Sequence, residues 1–180
     1  LNDSIFFDTD CISSILWGDD ESLLEKLYFG KIMIPKEVYD EVNKSNILDL
    51  RNKIDRLVTN GSATIISMDI DTEEYALYMD LITGSGAGYK VIGKGEAASI
   101  SLAKKHNGVL GSNNLKDIKH YVDKFNLKHI TSADILAEAF EKNRAAGRRY
   151  IVKYVSKEMK NRSNFINKIF SQRIGDFDKI

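Results

Sequence analysis

Cysteine and proline are almost absent from this 180-residue chain, at one residue each, Cys11 and Pro35. A single cysteine excludes a disulfide framework and any cysteine-based zinc site. No apolar run approaches the roughly 18 residues of a membrane span, and no signal-peptide pattern opens the chain. Leu1 stands where a Met would, which leaves a trimmed leader open; a cytoplasmic protein without a membrane partner is the expectation. Net charge is missing too, with 26 Lys+Arg against 26 Asp+Glu. Apolar residues at 43% and charged residues at 29% exclude the disordered, collagen-like and fibrous classes. The length suits one α/β domain with something left over.

The neutral total hides a polarity. Residues 1–90 hold 8 Lys+Arg and 17 Asp+Glu, and residues 91–180 hold 18 and 9, so the halves carry −9 and +9. That division fits an acidic site facing a basic binding surface, as in a metal-dependent nucleic-acid protein, or simply two solvated faces.

Short apolar runs alternate with amphipathic stretches. The pattern predicts strands at Ile5–Phe7, Lys31–Ile34, Ala63–Met68, Val109–Gly111 and His129–Ile130. Helices are expected over Thr9–Trp17, Ser22–Tyr28, Lys36–Asn43, Ile47–Val58, Thr72–Ile82, Glu96–His106, Asn113–Phe125 and Ala133–Lys142. Pro35 stops the second strand and suits the first helical position after it. Five of the twelve glycines crowd residues 84–95, which reads as a loop. Strands alternating with helices imply a parallel sheet covered on both faces, four to five strands wide. Functional groups then gather at the carboxyl ends of the strands: Asp8, Pro35–Glu41, Ser112–Asn114 and Thr131–Ser132.

Residues 143–180 differ in character from the 1–142 domain. Ile151, Val155, Met159, Ile166 and Phe170 fall near helical spacing, with Lys153, Lys157 and Lys160 on other faces. This reads as a basic amphipathic helical extension that packs on the domain, on a partner, or on nucleic acid through those lysines.

Two motif readings fail or stay thin. Gly88 to Gly95 contains G-x4-G-K, but Gly95 follows where Ser or Thr should ligate magnesium, so it is no ATP site. Phe7-Asp8-Thr9-Asp10 resembles the opening D-x-D of the haloacid dehalogenase phosphatases, yet Ile12 departs from that motif. Ser112-Asn113-Asn114 also supplies amides where a later acidic pair is needed.

A broader resemblance covers Ile5 to about Lys142. Ile5-Phe6-Phe7-Asp8, Ile34-Pro35-Lys36-Glu37-Val38-Tyr39-Asp40-Glu41, Gly93-Lys94-Gly95-Glu96-Ala97-Ala98 and Val109-Leu110-Gly111-Ser112-Asn113-Asn114 occur in that order. Together they resemble the PIN-domain nucleases, the fold of many toxin ribonucleases. The resemblance implies a Mg²⁺- or Mn²⁺-dependent endoribonuclease, with RNA as substrate and an antitoxin protein and a second copy of the chain as partners. It implies Asp8, Glu41 and Glu96 as metal-binding, catalytic acids, with Asn114 at the fourth position, where the family usually has an acid. Hard divalent cations take oxygen ligands, which agrees with such a set. Asp10, Ser112, Asn113 and Thr131 are supporting candidates, and Asp117, one turn beyond Asn114, is a candidate to compensate for the missing charge. Each acid has a plainer use: Asp8 as a helix cap, Glu41 on a solvated face, Glu96 in a first turn. Loss of one carboxylate leaves a slow nuclease, a one-metal nuclease or a catalytically silent binding module as the outcomes.

Overall fold

The apolar triplet Ile5-Phe6-Phe7 organises the molecule, because successive side chains of a strand point to opposite faces. In the computed structural model, which describes residues 3–17, 21–44, 48–86 and 88–142, Ile5 and Phe7 enter one core and Phe6 another. The strands are β1 (Ile5–Phe7), β2 (Ile32–Pro35), β3 (Ala63–Ile66), β4 (Val109–Gly111) and β5 (Lys128–Ile130). They form one parallel sheet in the order β3-β2-β1-β4-β5. Central β1 is buried along its whole length, as a parallel strand covered on both faces must be.

Eight helices flank the sheet among the described residues: α1 (Thr9–Leu16), α2 (Ser22–Tyr28), α3 (Lys36–Lys44), α4 (Leu48–Thr59), α5 (Glu73–Thr83), α6 (Lys94–Lys105), α7 (Leu115–Phe125) and α8 (Ser132–Lys142). One core joins Ile5, Phe7, Ile32 and Ile34 to residues of α1, α2, α3, α4 and α8; the other joins Phe6 and Leu110 to α5, α6 and α7. Helix α6 is buried almost all round, so its face is built of Ala, Ser and Gly rather than of large side chains. Buried Lys53 donates to the Leu16 carbonyl at 3.0 Å, satisfying the C-terminal end of α1, and pairs with Asp49. No described helix is long and apolar enough to cross a membrane.

Several boundaries differ from the sequence pattern. Pro35 ends β2 instead of opening α3. Pairing of β1 with β2 stops at Met33, so Pro35 has a ladder neighbour, Ile66, on one side only and its missing N–H is tolerated there. Strand β3 ends at Ile66, two residues short of the pattern. Helix α6 starts at Lys94, two residues early, which sets Glu96 inside its first turn; α7 starts at Leu115, two residues late. The expected helical extension over 143–180 lies outside the described residues.

Candidate functional site

Asp8 leaves β1 and enters α1 as its N-cap, with Oδ1 accepting the Cys11 N–H at 2.7 Å. The side chain is 1% exposed, and Oδ2 has no hydrogen-bond partner. Burial raises the carboxyl from 3.8 to about 7, and the like charges of Asp10 and Glu96 add to the rise. The Ser112 hydroxyl beside it and the Cys11 N–H oppose the shift, although Ser112 does not reach hydrogen-bond geometry on Oδ2. An anionic Asp8 is therefore under-compensated in this fold. A cation would supply what is missing.

Glu96 is fixed at the start of α6. Its Oε2 accepts the Gly93 N–H at 3.1 Å, which caps the helix, and its Oε1 accepts from Asn114 Nδ2 at 2.6 Å. Asn114 stands at the N-cap of α7 but makes no capping bond. Its amide nitrogen bridges Glu96 and Asp117, the latter at 2.7 Å. Two carboxylate acceptors demand a donor, so the amide turns its nitrogen and not its oxygen toward them. Asp117 thus joins the group through Asn114.

Glu41 reaches the same strand ends from α3. Its Oε2 accepts from Thr9 Oγ1 at 2.5 Å and its Oε1 from the Gly95 N–H at 3.1 Å. It is bonded to the residue after Asp8 and to the residue before Glu96. The close approach requires Gly95, because a Cβ there would lie 2.7 Å from Thr9 Oγ1 and 2.8 Å from Glu41 Oε2. Buried Ser99, one turn on, donates to the Phe7 and Gly95 carbonyls at 2.9 and 2.8 Å, and so ties α6 to the end of β1.

Other candidates face elsewhere. Asn113 accepts from the Ser132 N–H and hydroxyl at 2.9 and 3.0 Å and donates to Ser14, linking β4 to α8 and α1. Thr131 exchanges hydrogen bonds with Asp134 at the start of α8 and bonds none of the four candidate ligands. Asp10 is exposed in the first turn of α1, near enough to Asp8 to act on its charge. His129 bonds the Ser112 carbonyl and His106 stacks on Phe6. Lys153, Lys157 and Lys160 lie outside the described residues. Thr9, Gly95 and Ser99 hold the acids in place; the small-residue face of α6 is the sequence signal that points to the last two, and nothing in the sequence points to Thr9.

Every candidate ligand atom is oxygen, the donor that hard divalent cations prefer, and Asp8 Oδ2 is a buried oxygen without a partner. Mg²⁺ or Mn²⁺ fits that chemistry. As folded, no three Asp, Glu, His or Cys side chains among the described residues are grouped closely enough to hold an ion, and Asn114, Thr9 and two backbone N–H groups occupy the oxygens of Glu41 and Glu96. Comparison with protein families decides the relationship: the PIN-domain family model matches residues 4–175.

The chain belongs to the PIN-domain family.

Its fold is therefore of nuclease type, and divalent metals are the cofactors PIN domains typically use. The match runs past Lys142 and takes in most of the basic extension. It lends nothing to the D-x-D phosphatase alternative. No curated protein and no solved structure matches the chain.

Proposed function

We propose that this PIN domain is a Mg²⁺- or Mn²⁺-dependent endoribonuclease, acting as the toxin of a toxin–antitoxin pair and slowed by the amide at Asn114. One observation carries the reading: Asp8, buried at the end of the central strand with a free carboxylate oxygen, beside Glu96. Asp8, Glu41 and Glu96 would hold the ion, with Asn114 able to offer its amide oxygen by rotating. A bound divalent ion supplies activation of a water and stabilisation of charge on the leaving oxygen. The protein's part is positional. Thr9 and Gly95 fix Glu41, Gly93 fixes Glu96, and Ser99 fixes α6 against β1.

A second reading, a catalytically silent nucleic-acid or protein-binding PIN module, is favoured by Asn114 itself. Its amide already satisfies Glu96 and Asp117, lessening the repulsion that would draw in a cation. Titration of Mn²⁺ against an RNA substrate separates the two, with Asp8→Asn beside the wild type. Metal-dependent cleavage lost in the variant supports the nuclease; RNA binding without cleavage at any Mn²⁺ concentration supports the silent module.

A further inference from the structure

Three exposed lysines that have no ion-pair partner among the described residues neighbour the elements that carry the acids. Lys90, Lys94 and Lys116 are exposed and make no ion pair among the described residues, whereas Lys105, Lys119 and Lys128 of the same half are paired with Glu74, Asp123 and Asp3. Lys94 opens α6 between Gly93 and Gly95, whose N–H groups hold Glu96 and Glu41. Lys116 is two residues beyond Asn114, which binds Glu96. Lys90 is anchored to α7 because its N–H donates to the Tyr121 hydroxyl and its carbonyl accepts from it, both at 2.6 Å. Tyr121 is five residues past Lys116, about 7.5 Å along the helix axis. The chain neighbours of two of these lysines are exposed and apolar, Val91 at 67% and Leu115 at 41%. Cation and apolar surface therefore sit side by side at Lys90–Val91 and at Leu115–Lys116.

We propose that Lys90–Val91, Lys94 and Leu115–Lys116 form the rim that seats a nucleic-acid strand across Asp8 and Glu96. The lysines take phosphates, and Val91 and Leu115 lie against ribose or base. A free phosphate has no use for the apolar neighbours. An acidic peptide would be repelled by Glu96 and exposed Asp117, whereas a phosphodiester meets the acids through the divalent cation proposed above. The inference rests on the nuclease reading, but strand binding is measured apart from cleavage.

The test is fluorescence anisotropy of a labelled single-stranded RNA oligonucleotide in Ca²⁺, which takes the same oxygen ligands, across a KCl series. Wild type is compared with a triple Lys90→Gln, Lys94→Gln, Lys116→Gln variant and with a charge-matched Lys105→Gln, Lys119→Gln, Lys128→Gln control. The rim variant should bind at least about tenfold more weakly and flatten the log K against log salt slope by about two, at roughly 0.7 per lost phosphate contact. Val91→Ser should weaken binding with the slope unchanged. Equal losses in both triple variants, an unchanged slope in the rim variant, or an equal loss of binding to polyglutamate overturns the rim. Rim-dependent binding without Mn²⁺-dependent cleavage upholds the rim and sinks the nuclease. Cleavage with an unchanged KM in the rim variant does the reverse.

Discussion

Asn114→Asp is the most discriminating perturbation of the acidic group. In the wild type the amide nitrogen lies 2.6 Å from Glu96 Oε1 and 2.7 Å from Asp117 Oδ2, holding two carboxylates together. Aspartate removes both donors and adds a third negative charge. Like charges about 4 Å apart at an effective dielectric constant near 20 repel by about 4 kcal/mol. Asp117 is exposed and free to swing into water, which reduces the net loss to about 2 kcal/mol. For a chain of this size that corresponds to a fall of about 4–8 °C in Tm without metal. Saturating Mn²⁺ should restore most of it, so the metal-induced rise in Tm exceeds that of the wild type, and RNA cleavage should increase. Thermal melting with and without Mn²⁺ reads both effects. Asn113→Asp is the control: its oxygen still accepts from Ser132 at the start of α8, where negative charge is favourable. If Asn114→Asp melts like the wild type with the same Mn²⁺ response, or Asn113→Asp shows the larger response, the assignment of position 114 to the site is wrong.

Burial of Asp8 makes metal-free stability depend on pH. An acid raised from 3.8 to about 7 keeps its proton in the folded state while the unfolded chain ionises, so stability falls as pH rises from about 4 to about 7, by up to about 4 kcal/mol. Asp8→Asn, which caps α1 about equally well, should therefore raise Tm at pH 8 and leave it nearly unchanged at pH 4; equal effects at both pH values refute this. Gly95→Ala should displace Glu41 and weaken Mn²⁺ binding despite the better helix propensity of alanine, and calorimetry showing wild-type affinity would contradict the contact geometry. Tyr121→Phe removes both hydrogen bonds to Lys90, about 1–2 kcal/mol, and should speed protease cleavage within residues 84–93 while the sheet stays intact.

The parallel sheet is legible in the sequence because its strands are short β-rich runs, each followed by an amphipathic helix, and because Ile5, Phe6 and Phe7 are apolar without alternation. The strand-end rule also points to Asp8 and to Ser112–Asn114. What the strand pattern alone does not carry is direction, which the family resemblance supplies by setting Asn114 at the fourth position. Asn113 and Asn114 are identical neighbours, yet the turn after β4 sends one to Ser132 and the other to Glu96. The role of Gly95 is equally hidden, since residues 84–95 read as one glycine-rich loop. Only the packing of α6 against Thr9 and Glu41 makes its missing side chain a requirement. Thr9 looks like an ordinary first-turn residue until the fold brings Glu41 to it from 32 positions away.

The central claim is that Asp8, Glu41 and Glu96 serve one divalent cation. Isothermal titration calorimetry of Mn²⁺ into wild type, Glu41→Gln and Glu96→Gln tests it without relying on any substrate. Both variants should fold, with metal-free Tm somewhat lower because glutamine keeps only one of the two acceptor oxygens that each carboxylate uses, and both should bind Mn²⁺ markedly more weakly than the wild type. Unchanged Mn²⁺ affinity in both would contradict the shared site.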